Sequence, residues 1–186
     1  MAPQGRTAVV IPVPAAEVLL ASVRERHAEV VRDLPAHVSV LYPFLGRDRL
    51  DDATEQALRS VVERHPPFET RFTTCERRDG FVGLLAQPDG ELRALAANLR
   101  RHWPALVPYH GAFGPDPRPH LTLALGADPA ASAAIEAQVA PYLPLSARAT
   151  EVWLAVLDGG WTVRARFDLA SAIPTTHPRR VFGKRL

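Results

Sequence analysis

The sequence predicts an α+β fold built on largely antiparallel sheets, and three observations carry that reading. Strand-like runs are joined by short turns as well as by helices, the helical stretches place apolar residues at helical spacing, and no linker divides the chain into independent domains. With 186 residues, 47% of them hydrophobic and 23% charged, the chain can bury one sizeable core.

The elements follow in order. TAVVIPVP (7–14) is a β-branched strand stopped by proline, and AAEVLLASVRERHAEVV (15–31) is an amphipathic helix. AHVSVLY (36–42) is a strand ended by Pro43. DDATEQALRSVVERH (51–65) opens on aspartate caps with acid in its first turn and is a helix stopped by two prolines. FETRFTTCER (68–77) and GFVGLLAQ (80–87) are strands joined through an Arg-Asp-Gly turn. GELRALAANLRRHW (90–103) is a third helix. The Gly- and Pro-rich loop PYHGAFGPDPRPH (108–120) feeds the strand HLTLALG, and DPAASAAIEAQVAPYL (128–143) is a fourth helix. SARATEVWLAVLDGGWTVRARFDL (146–169) reads as two strands around an Asp-Gly-Gly turn. Each half of this order has a histidine-led strand near its middle, but identity between the halves is too weak to define a repeat. HPRRVFGKRL (177–186) is a basic C-terminal tail, read as a solvated terminus.

Composition bounds function loosely. Twenty-two basic residues against 20 acidic ones give a formal charge of +2, with a pI near 9.1. Of the basic residues 21 are arginine, whose planar fork suits phosphate, although a general preference for Arg and Ala explains the count as simply. The single Cys75 cannot form an internal disulfide, so a reducing compartment is expected. The apolar N-terminal stretch is broken by Pro12 and Pro14 and lacks a cleavage pattern, and no apolar run approaches the roughly 18 residues of a membrane span. The expected location is cytoplasmic, without a membrane partner. The seven histidines form no zinc spacing, and nucleophile-elbow and phosphate-loop patterns do not occur.

Two stretches carry chemistry. HVSVLYPF starts at His37 and HLTLALG at His120, each a strand opening on His-x-Ser/Thr. Residues i and i+2 of a strand share a face, so His37 with Ser39, and His120 with Thr122 and Ala124, oppose apolar faces that include Leu121, Leu123 and Leu125. A buried His-plus-hydroxyl face needs polar company, which a cleft would supply; two satisfied structural histidines are the plain alternative.

HVSVLYPF and RPHLTLALG resemble the paired signatures of the two-histidine (2H) phosphoesterase superfamily, in particular its bacterial branch of 2'-5' RNA ligase family or cyclic phosphodiesterase-like proteins. PFETRFTTCERRDGFVGLLAQ, PALVPYHGAFGPDPRPHLTLA and ARATEVWLAVLDGGWTVRARFDL are similar in order and spacing, so the resemblance spans roughly residues 7–169. It implies a bilobal, pseudo-twofold arrangement of antiparallel sheets flanked by helices, as one domain over residues 1–176, with a central cleft entered by one motif from each lobe. It implies His37 and His120 as the catalytic pair, and Ser39 and Thr122 as hydroxyls holding the phosphate, with neither metal nor cofactor. The implied activity is a phosphodiesterase acting on 2',3'-cyclic phosphate or 2'-5' bonds of RNA, an oligonucleotide or a small nucleotide, by acid–base catalysis, with ligation as the reverse reaction and a monomer as the expected state.

Around this pair, Arg118 is within sequence reach of a phosphate, and Tyr109 and Phe113 are placed to stack on a base, with ordinary loop packing as the alternative for all three. Tyr42 points away from the histidine face by alternation and is expected to pack in the core or at its rim, unless Pro43 turns the chain. Trp103, Trp153 and Trp161 are expected in the core, and His27, His65 and His102 exposed on helices, with His110 in the loop. Two rival readings stand beside the enzyme: a non-catalytic RNA- or phosphate-binding module, and a small-molecule enzyme of secondary metabolism on the same fold.

Overall fold

The structure, a computed structural model, describes residues 5–32, 34–157 and 160–170, so the basic tail over 177–186 lies outside the described residues. Its strands are β1 (Thr7–Pro12), β2 (His37–Leu41), β3 (Phe68–Arg78), β4 (Phe81–Gln87), β5 (His120–Leu125), β6 (Leu145–Ala149), β7 (Glu151–Leu157) and β8 (Trp161–Asp168). Its helices are α1 (Glu17–Arg26), α2 (Asp52–Val62), α3 (Gly90–His102) and α4 (Pro129–Val139). The strands form one sheet in the order β6-β3-β4-β5-β2-β1-β7-β8, with every neighbouring pair antiparallel.

This is the expected α+β fold, with one feature the chain order hides. The two lobes, β6-β3-β4-β5 and β2-β1-β7-β8, do not follow the halves of the chain. The β3–β4 hairpin follows the first histidine strand in sequence yet pairs with the second, and the β7–β8 hairpin returns to β1. The lobes are hydrogen-bonded into a single sheet where Val38 of β2 faces Leu121 of β5.

Residues 146–157 read as one strand, but the structure divides them at Thr150: β6 edges one lobe beside β3, and β7 sits inside the other beside β1. A single residue spans only about 7 Å between its neighbours, so the two ends of the sheet are drawn together and the sheet curls. The Leu169 amide donates to the Thr150 carbonyl at 2.9 Å, tying the end of β8 to this junction.

The helices cover the face opposite the histidines. Leu19 and Val23 of α1, Leu58 and Val62 of α2, Leu95 and Leu99 of α3, and Ile135 and Val139 of α4 bury against Val9, Ile11, Val38, Leu121, Val152 and Leu154 of the strands. Asp51 and Asp128 cap α2 and α4 by accepting the Thr54 and Ala131 amides. Helix α1 stops at Arg26, short of the expected 31, because the following segment lies along β5, where the Leu125 amide donates to the Val30 carbonyl.

His65 is buried, contrary to expectation: the chain turns inward after α2, so its ring lies 2.9 Å from Asn98 Nδ2 and its carbonyl accepts the Ala170 amide. Burial pushes its pKa down. A second departure is a bulge. Gly83 pairs with Thr122 and Val82 with Ala124, which leaves Leu123 as an extra residue in β5. Past it the alternation resets, so Ala124 is buried and Leu125 turns out to 37% exposure.

Gly83 matters for its missing side chain. The Phe81 ring occupies the space a Cβ would take, and the Leu121 carbonyl oxygen would lie 2.9 Å from that carbon. Gly83→Ala is expected to destabilise the fold by about 1–3 kcal/mol through overpacking, read as a lower urea midpoint at unchanged slope.

Candidate active site

Strand alternation turns Val38 and Val40 into the core and His37 and Ser39 toward solvent; in β5 it buries Leu121 and turns His120 and Thr122 outward. Antiparallel pairing of Val38 with Leu121 then sets Ser39 across from His120, and His37 across from Thr122. Directly opposed residues have Cβ atoms about 5 Å apart, and the diagonal between the histidines is about 7–8 Å. All four side chains line one cleft of about 350 Å³, a size suited to a small ligand.

The two imidazoles are held alike. Nδ1 of His37 lies 2.7 Å from the Pro35 carbonyl oxygen, and Nδ1 of His120 lies 2.7 Å from that of Arg118. A carbonyl only accepts, so each Nδ1 carries the hydrogen and each Nε2 is left for a ligand. Burial pushes both rings below the ordinary value of 6.5. For His37 the Pro35 carbonyl opposes that effect, His120 adds to it and Glu17 opposes it. For His120 the Arg118 carbonyl opposes, the Arg78 guanidinium lowers further and Glu76 raises. Repulsion between the two rings disfavours charging both at once.

An aromatic wall rises beside His120. Phe81 meets its ring edge-on at 5.0 Å and 84°, and Tyr109 lies nearly parallel to it, at 6.1 Å and 25°. Tyr109 reaches this place because it and His110 adopt left-handed backbone angles, φ 49° and 52°, while its amide donates to the Tyr42 carbonyl at 2.6 Å. Phe113 packs against Tyr109 at 5.1 Å. A side-chain hydrogen bond joins Tyr109 to Ser39; burial nonetheless raises the phenol's pKa.

Tyr109 and Phe113 thus line the cleft with the four motif residues. Arg118 instead lines two neighbouring pockets rather than this cleft, and its carbonyl, through Nδ1, orients His120. Three other arginines line the cleft: Arg6, Arg32 and Arg78. Arg6 Nη1 donates to the Tyr42 hydroxyl at 2.8 Å, and the Arg78 guanidinium sits 5.8 Å from both the Phe81 and Phe113 ring centres. No motif marks them, since Arg6 and Arg78 arrive by strand pairing from distant sequence.

Tyr42 and two of the tryptophans depart from expectation. Strand β2 ends at Leu41, so alternation no longer governs Tyr42, which turns into the cleft 5.8 Å from Tyr109 and 6.3 Å from Trp161. Trp153 and Trp161 also line the cleft, half-buried, whereas Trp103 packs against Phe44 at the core's edge. Among the described residues no cluster of His, Cys, Asp and Glu is arranged to hold a metal, and no helix is long and apolar enough to cross a membrane.

The model of the 2'-5' RNA ligase superfamily matches residues 12–161. Comparison with curated protein sequences gives no match. Among solved structures, E. coli LigT complexed with 3'-AMP is 22% identical, covering 89% of this chain and 98% of that one with a TM-score of 0.59. LigT complexed with NADP+ is 24% identical over 91% and 100%, at 0.59. TT0787 of Thermus thermophilus is 20% identical over 90% and 99%, at 0.56. At these identities the solved structures show a shared fold: a curled, antiparallel eight-stranded sheet with four helices. With the family match running through both histidine strands, the chain belongs to the 2'-5' RNA ligase superfamily of two-histidine phosphoesterases.

Proposed function

We propose that the protein is a metal-independent phosphodiesterase acting on 2',3'-cyclic phosphate or 2'-5' phosphodiester bonds of RNA or nucleotides, with His37 and His120 as its acid–base pair. The observation that carries this reading is the pair itself. Two imidazoles on adjacent strands, each pinned through Nδ1 at 2.7 Å, offer two Nε2 atoms to one cleft.

Opening a cyclic phosphate is an in-line displacement at phosphorus. The neutral imidazole takes a proton from the attacking water at Nε2 while the water oxygen bonds to phosphorus. The protonated imidazole gives its Nε2 proton to the departing ribose oxygen as that bond breaks. Mutual repulsion of the rings opposes charging both, so when one carries the proton the other stays neutral, as this step needs. Ser39 and Thr122 hydroxyls donate to the non-bridging oxygens as charge gathers there. The two histidines exchange roles in the reverse direction, which joins rather than cleaves.

The aromatic wall supports a nucleotide substrate, since Tyr109 and Phe113 offer faces on which a base stacks, worth about 1–3 kcal/mol per base. LigT, which shares this fold, has been crystallised with 3'-AMP and with NADP+. Arg78 adds positive charge beside His120 where a phosphate would enter.

His37→Ala and His120→Ala are each expected to lower turnover of 2',3'-cyclic mononucleotides or 2'-5' dinucleotides by about 10²–10⁴-fold, with circular dichroism unchanged and chelator without effect; near-wild-type turnover in either variant refutes the mechanism. A plot of kcat/KM against pH should be bell-shaped. Protonation of the base sets its acid limb, deprotonation of the acid its alkaline limb, and both are displaced below 6.5 because burial depresses both rings.

A further inference from the structure

One end of the cleft holds charge and aromatic surface that the reaction at the histidines does not use. Val10 of β1 pairs with Ser39, and Ala8 and Arg6 share its face by alternation. At about 3.4 Å per residue, the Arg6 backbone lies about 14 Å along the strand from Val10. The Leu157 amide fixes it there by donating to the Arg6 carbonyl at 2.8 Å, and Trp161 pairs with Leu157 from the other side. Arg6 and Trp161 both meet Tyr42. Arg6 Nη1 donates to the Tyr42 hydroxyl at 2.8 Å, and the Trp161 and Tyr42 ring centres are 6.3 Å apart.

Two observations mark this end as a binding surface. The rings of His120, Tyr109, Tyr42 and Trp161 follow one another at centre distances of 6.1, 5.8 and 6.3 Å, all lining the cleft. They offer a second aromatic surface beyond Tyr109, which takes the first base. Arg6 is also an uncommitted cation. Arg78 pairs with Glu76 at 3.7 Å, and Arg166, over the Trp153 ring, with Glu151 at 4.0 Å, whereas Arg6 makes no ion pair among the described residues. Its bond to Tyr42 uses one of the five N–H donors of a guanidinium, and the others suit phosphate oxygens.

We infer that Arg6, Tyr42 and Trp161 form a subsite for a second nucleotide, joined to the 5' oxygen of the nucleoside stacked on Tyr109. A 2',3'-cyclic phosphate engages both the 2' and the 3' oxygen of that nucleoside, so its chain continues only through the 5' oxygen. The next phosphate meets Arg6, and the next base lies against Tyr42 and Trp161. This rests on the phosphodiesterase reading above and narrows its preferred substrate to a nucleotide chain at least two residues long.

The test compares kcat/KM of the full chain for a 2',3'-cyclic mononucleotide and for a dinucleotide ending in the same cyclic nucleotide. Stacking one base is worth about 5- to 150-fold, so the dinucleotide should be favoured by at least about fivefold. That preference should weaken with added salt, as a phosphate contact does. Arg6→Gln and Trp161→Ala should each remove most of it, and Arg6→Lys, which keeps a point charge for phosphate, should retain most of it. Equal kcat/KM values, or a preference that survives both Arg6→Gln and Trp161→Ala, overturn the inference and leave the two-histidine mechanism standing. Failure to turn over either substrate strikes the phosphodiesterase reading itself, and the inference with it.

Discussion

The pairing of β2 with β5 at Val38 and Leu121 is the contact on which the site depends. It joins the two lobes into one sheet, and because strand side chains alternate, it also decides that four polar groups meet. A register one residue away would bury the histidines and expose the valines and leucines. Val38 at 1% exposure and Leu121 at 0% hold that register through core burial, so the stability of the fold and the geometry of the site rest on the same two side chains.

Around that pairing the two lobes supply matching parts. Each histidine opens its strand and is fixed by the carbonyl two residues earlier, so Pro35 and Arg118 are equivalent supports although their side chains differ. The environment is less symmetrical than the backbone. His120 has Phe81, Tyr109 and Arg78 around it, while Glu17 acts on His37. The sheet gives the site its twofold frame, and the loops and the β7–β8 hairpin make its two ends chemically different.

Much of this was legible in the sequence. The four helices, the β3–β4 hairpin and the shared face of each His-x-Ser/Thr pair follow from local periodicity, and the fold agrees. The parts that escaped are those set by long-range pairing. Nothing near residue 150 signals that the chain passes from one lobe to the other, because Thr150 suits a strand as well as a junction. The bulge at Leu123 moved Leu125 out of the core, and a strand that ends one residue earlier than expected released Tyr42 into the cleft. Trp153 and Trp161 read as core residues because their apolar character is the same in a cleft wall. Arg118 drew attention through proximity in sequence, whereas Arg6 and Arg78 are brought to the cleft by the fold.

The central claim is that two imidazoles with free Nε2 atoms serve one phosphate. Nitrogen-15 NMR of the histidine side chains during a titration with inorganic phosphate addresses it directly. The account predicts that His37 and His120 both begin as Nδ1–H tautomers and that both Nε2 signals move together along one saturation curve. A phosphate that moves only one ring, or moves the two with different midpoints, would contradict it.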